Sequence, residues 1–178
     1  MPHARAAAGR AAAQARRART LRRLPPNSLP GETHILKITA FIDGAARGNP
    51  GPAGYGVFMK TDGGEIIEIC GYLGKTTNNV AEYAGLLEAL ETAQAEGASE
   101  VEIVSDSELL VKQMLGVYRV KHPNLVPMYE KAKSMVRRFS RFSIRHTLRA
   151  GNKDADRLAN LAVDRADGRL LQRKRVES

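Results

Sequence analysis

The sequence predicts an α/β fold in which a five-stranded mixed sheet carries helices on both faces. Three observations lead there. Three strand-like runs follow one another where the globular part begins. Strand and helix patterns then alternate to the end, giving the order βββαβααβα. The length, 178 residues, suits one domain that buries its own core. Antiparallel strands followed by strand–helix alternation imply a mixed sheet with helices packed on it.

Each element has its own signal. Residues 35–43 alternate, with Leu36, Ile38, Ala40 and Ile42 on one face. Residues 55–60 and 65–73 are two more strands, joined by the turn TDGG (Thr61–Gly64) as a hairpin. TTNN (Thr76–Asn79) opens a long helix whose buried stripe is Val80, Tyr83, Leu86, Leu87 and Leu90, and Gly97 stops it. A fourth strand covers 101–106 and a helix 107–115. A second helix covers 124–139, with Pro127 in its first turn. A fifth strand spans 142–147 and a last helix 152–167.

Charge is unevenly spread. Residues 1–31 hold seven arginines and no lysine or acid, whereas the remaining 147 residues carry 21 basic and 19 acidic side chains. Residues 1–31, Ala/Arg-rich and then Pro-rich, read as a disordered basic extension, and residues 168–178 as a basic C-terminal tail. The globular domain is bounded at 34–167. A basic extension suits a polyanion such as nucleic acid. The single Cys70 rules out an internal disulfide and suits a reducing, cytoplasmic setting. The apolar runs are too short to span a bilayer, so no membrane association is expected.

Four acids stand where strands end or helices begin: Asp43, Glu82, Asp106 and Asp156. Loops at one end of a sheet are where sites are built. Four carboxylates converging there repel one another unless a cation sits between them. Oxygen ligands without a Cys/His cluster select Mg²⁺ or Mn²⁺. Three of the four acids also have a local reading. Glu82, three residues after Asn79, could complete a capping box. Asp156, like Asp154, could serve its helix dipole. Asp106 could be an N-cap. Asp43 ends an apolar strand before glycine and has no such local role.

Four ordered blocks, DGAARGNPGPAGYG (43–56), TTNNVAEYAGLLEAL (76–90), SDSELLVKQM (105–114) and NKDADRLANLA (152–162), resemble type 1 ribonuclease H. The resemblance runs from about Lys37 to Asp164. It implies the ribonuclease H-like fold and a metal-dependent endoribonuclease acting on the RNA strand of RNA–DNA hybrids. It also implies that Asp43, Glu82, Asp106 and Asp156 hold two Mg²⁺ ions, with Mn²⁺ able to substitute, about 4 Å apart. Products would carry 5′-phosphate and 3′-hydroxyl ends, and primer and R-loop removal is the implied duty. Substrate contacts would come from Gly44, Asn49, Asn78 and Asn79, the amides reading 2′-hydroxyls or minor-groove edges. Lys121, with Lys112, Arg119 and His122 nearby, would face DNA phosphates.

The resemblance thins in two places. Family members carry an auxiliary His ten residues before the last Asp, which is His146 here. The segment HTLRAGN instead resembles a bacterial and archaeal subgroup with HxPRxxN, where Arg149 is the candidate. No basic handle helix follows the third acid. The expectation is a monomer without an obligate protein partner. Two alternatives share the fold: an inactive nucleic-acid-binding module and a DNA nuclease.

Overall fold

The computed structural model describes residues 35–176, so the basic extension expected over 1–31 lies outside the described residues. Six strands form one sheet: β1 (Lys37–Ala46), β2 (Gly51–Thr61), β3 (Glu65–Thr76), β4 (Glu100–Ser105), β5 (Arg141–His146) and β6 (Arg169–Arg175). Four helices accompany them: α1 (Asn78–Ala95), α2 (Glu108–Met114), α3 (Val126–Val136) and α4 (Lys153–Arg165). The sheet order is β5-β4-β1-β2-β3-β6. β1, β2, β3 and β6 pair antiparallel, while β1–β4 and β4–β5 are parallel. This is the predicted mixed sheet, with one strand more than the sequence suggests.

The sheet has a core on each face. On one side Ile38, Ala40, Ile42 and Val57 meet Tyr83, Leu86 and Leu90 of α1, joined by Leu110 of α2 and Ala132 of α3. On the other, Phe58 and Cys70 meet Leu158 and Ala162 of α4. The alternation in β1 and the stripe of α1 are thus observed, with Val80 and Leu87 only partly buried. The β2–β3 turn closes through Gly64, whose φ is 83° and whose N–H donates to the Thr61 carbonyl at 3.1 Å. Gly97, φ 79°, ends α1.

The sixth strand corrects the expectation of a C-terminal tail. Arg169–Arg175 pairs with β3 along its free edge. Its two leucines divide between the faces, Leu170 against the α4 core and Leu171 against the α1 core. Its cations meet acids of β3 and α1: Arg169 pairs with Glu88, Arg173 with Glu96 and with Glu65 (3.0 Å), and Lys174 with Glu68 (3.4 Å). Composition shows only a basic run; the acids that accept it come from distant sequence.

Candidate active site

The parallel pairing of β1 with β4 stops at Ile42 opposite Ser105. Asp43 and Asp106 are the next residues after that pair, so they stand together at one end of two interior strands. β1 does not end at Asp43, as the sequence suggests. It continues to Ala46, paired with β2 alone, and Asp43 sits opposite Gly56.

Two glycines bring the other acids in. A Cβ on Gly44 would fall 2.4 Å from the backbone nitrogen of Glu82, so α1 packs directly on β1 there. A Cβ on Gly56 would fall 2.3 Å from the Ala155 carbonyl oxygen, so α4 packs equally tightly on β2. A side chain at either position would push a helix away. The sequence reading assigns Gly44 to the substrate; it does line the cleft, but the space of its missing side chain is filled by α1.

Asp43, Glu82, Asp106 and Asp156 line one cleft of about 450 Å³. Asp43 is 8% exposed and accepts the Gly44 N–H at 2.9 Å. Burial, then the charge of Asp106 and hydrogen bonding with Asp156, push its carboxyl up to about 8 from an ordinary 3.8. Burial also lifts Glu82, to about 6, against hydrogen bonds from Ser107 and Asn78 that pull it down. The Asn78 amide donates to Glu82 Oε1 at 3.0 Å. Asn160 steadies the last acid, donating to the Asp156 carbonyl at 2.9 Å and to Oδ1 at 3.4 Å.

The local readings of these acids give way. Thr77, not Asn79, caps α1, its hydroxyl accepting the Val80 N–H, and Glu82 lies beyond capping-box reach. Ser107 caps α2, which leaves Asp106 free of that role. Asp154 points away and pairs with Arg157 at 3.6 Å. Among the described residues, no three His, Cys, Asp or Glu side chains are already gathered as a cluster set for an ion. The donor set, all hard carboxylate oxygens with one of them buried, fits divalent cations of the Mg²⁺ type.

The other candidates divide. Asn78 and Arg149 line the cleft, and Arg149 reaches 3.7 Å from Asp156 Oδ1. Asn49 anchors the loop beside it, its Oδ1 accepting the Asn78 N–H at 3.2 Å. Asn79 and Lys121 are exposed and are not among the residues lining the cleft. His146 stands behind Asp106, its Nε2 3.2 Å from the Asp106 carbonyl oxygen, and does not line the cleft either.

The fold matches that of known proteins. A family model described as "Reverse transcriptase-like" covers residues 41–162. A ribonuclease H of Methylococcus capsulatus is 32% identical over 78% of this chain and 94% of its own length. The chain belongs to the type 1 ribonuclease H family. A ribonuclease HI of Halobacterium salinarum is 42% identical over 73% of this chain and 66% of its own. The bifunctional protein Rv2228c of Mycobacterium tuberculosis is 44% identical over 74% of this chain, which spans 36% of that longer protein. The solved N-terminal ribonuclease H domain of Rv2228c superposes with a TM-score of 0.70, covering 74% of this chain and 96% of that one. LC11-RNase H1, solved in complex with an RNA/DNA hybrid, superposes at 0.68 with 44% identity, covering 72% of this chain and 98% of that one.

Besides Ser107 and Asn160, two more contributors to the cleft escape sequence reading. Asn152 is 1% exposed, and its Nδ2 donates to the Ile42 carbonyl at 2.9 Å. It ties the start of α4, which carries Asp156, to the β1 residue before Asp43. Its Oδ1 has no hydrogen-bond partner among the described residues. The other is Arg47, which lines the cleft from the β1–β2 loop. Only a three-dimensional neighbour marks either one.

Proposed function

We propose that this chain hydrolyses the RNA strand of RNA–DNA hybrids endonucleolytically, leaving 5′-phosphate and 3′-hydroxyl ends. The observation that carries this reading is the convergence of Asp43, Glu82, Asp106 and Asp156 from four elements on one cleft, with Asp43 buried. These four would hold two Mg²⁺ ions, Mn²⁺ substituting. When bound, such ions activate a water and stabilise the leaving oxygen.

The chain's own residues do the positioning. The Gly44 N–H and the Asn160 amide orient the carboxylates of Asp43 and Asp156 through hydrogen bonds to Oδ1. Asn78 spends one amide hydrogen on Glu82 and keeps its carbonyl oxygen to accept a 2′-hydroxyl. Asn49, whose oxygen is occupied by the Asn78 N–H, keeps its amide hydrogens for base edges or sugar oxygens. Arg149, rather than His146, takes the auxiliary part beside Asp156, because it lines the cleft. Removal of primers and R-loops in the cytoplasm is the duty that follows.

Labelled hybrid, duplex DNA and duplex RNA, each incubated with Mg²⁺ or with EDTA, test this. Cleavage of the hybrid's RNA strand alone, in Mg²⁺ alone and lost in Asp43→Asn, is expected. Binding without cleavage would make the chain an inactive module, and cut duplex DNA would make it a DNA nuclease.

A further inference from the structure

The geometry points to Arg47 as a phosphate-binding residue for the hybrid, held in reserve by Asp164. This rests on the nucleic-acid reading of the cleft. A polyanion has to enter a cleft lined by four carboxylates, and two guanidinium groups line the same cleft, Arg47 and Arg149. Arg149 lies against Asp156. Arg47 pairs instead with Asp164, near the end of α4, a residue that does not line the cleft.

The backbone that carries Arg47 is held on both sides. Its own N–H donates to the Pro52 carbonyl at 2.9 Å, and the loop is pinned to α1 where Asn49 accepts the Asn78 N–H at 3.2 Å. The side chain is free by comparison. Arg47 and Asp164 are 51% and 60% exposed, and an ion pair so open to water contributes little. A phosphate offers the planar fork of arginine two oxygens and a charge-assisted bidentate bond, which outcompetes a pair that weak. Arg47 therefore exchanges its carboxylate for a backbone phosphate when the hybrid docks, and its position places one cation beside four acids.

The competing role is a strut that only ties the loop to α4. Both roles need Arg47; only the strut needs Asp164. Hybrid binding to the full chain in EDTA, where nothing is cut, is followed by fluorescence anisotropy across a range of salt. Arg47→Ala should weaken binding about five- to tenfold at 0.1 M salt and flatten the slope of log K against log salt by about 0.9, one phosphate contact. Arg47→Lys should keep the slope while losing part of the affinity. Asp164→Asn should bind as tightly as the parent chain or more so. Arg173→Ala, which removes a cation on the edge strand β6 and outside the cleft lining, should leave the slope unchanged. An unchanged slope in Arg47→Ala, or an equal loss in Asp164→Asn, would overturn the assignment. A parent chain that does not bind hybrid at all would instead remove the nucleic-acid reading beneath it.

Discussion

Asp43 and Glu68 lie in the same sheet and are buried alike, 8% and 7% exposed, yet their surroundings are opposite. Glu68, on β3, has Arg157 at 3.2 Å and Lys174 at 3.4 Å. Its neighbours Glu65, Glu88 and Glu96 are each matched by an arginine of β6. Asp43, on β1, has Asp106 and Asp156 instead, and among the described residues no basic nitrogen lies within ion-pair distance of Asp43, Glu82 or Asp106. At the β3–β6 edge, acids are neutralised within the chain and serve the fold. At the cleft they are left to one another, which costs stability and suits a bound cation.

The largest effect should separate the two buried acids. Asp43→Asn should lower hybrid cleavage by about a thousandfold or more, as removal of a metal ligand does. Glu68→Gln should leave turnover within about twofold, both read by single-turnover cleavage of labelled hybrid. Arg149 is the exception in the comparison, the one basic side chain at a cleft acid, and it is 83% exposed. Arg149→Ala should slow turnover about a hundredfold, the lower end of acid–base contributions. His146→Ala should stay near normal; the reverse result would return the auxiliary role to the histidine.

Asn152 sharpens the contrast differently, since it is a neutral group buried to place charged ones. Asn152→Ala strands the Ile42 carbonyl and should cost about 1–3 kcal/mol of stability in urea unfolding. The same titration on Lys131→Ala, which removes an exposed pair with Glu91, should show about 1 kcal/mol or less.

The fold was legible wherever a pattern is local. Alternation marks β1, the 3.6 period marks α1, and Gly97 marks its end. β6 was hidden because its seven residues hold only two leucines, and its support is the row of acids on β3 and α1. The α1 cap was misplaced by two residues because Thr77 and Asn79 are both strong cap formers, and only the backbone decides between them. The four cleft acids were legible as a set, each at an element end. Arg47 and Asn152 were not, because an arginine in a turn or an asparagine before a helix has many ordinary roles.

The contrast also shows in the response to pH. The folded chain holds a proton on Asp43 up to about pH 8, and the unfolded chain releases it near 3.8. Metal-free stability therefore falls as pH rises between those values, and Glu82, lifted to about 6, adds to the fall. Asp43→Asn removes the Asp43 part. In EDTA its Tm should exceed the parent's at pH 8, and the gap should close toward pH 4. A gap that widens on acidification would reverse the assignment of Asp43 as a destabilised acid.

The central claim is that the unpartnered acids of the cleft hold a cation and the partnered acids of the β3–β6 edge do not. Thermal unfolding at neutral pH with increasing Mn²⁺ tests it most directly, because a ligand that binds the folded chain raises Tm with concentration. Mn²⁺ should raise the Tm of the parent chain and of Glu68→Gln alike and leave Asp43→Asn unmoved. An equal rise in Asp43→Asn, or a rise lost only in Glu68→Gln, would contradict it.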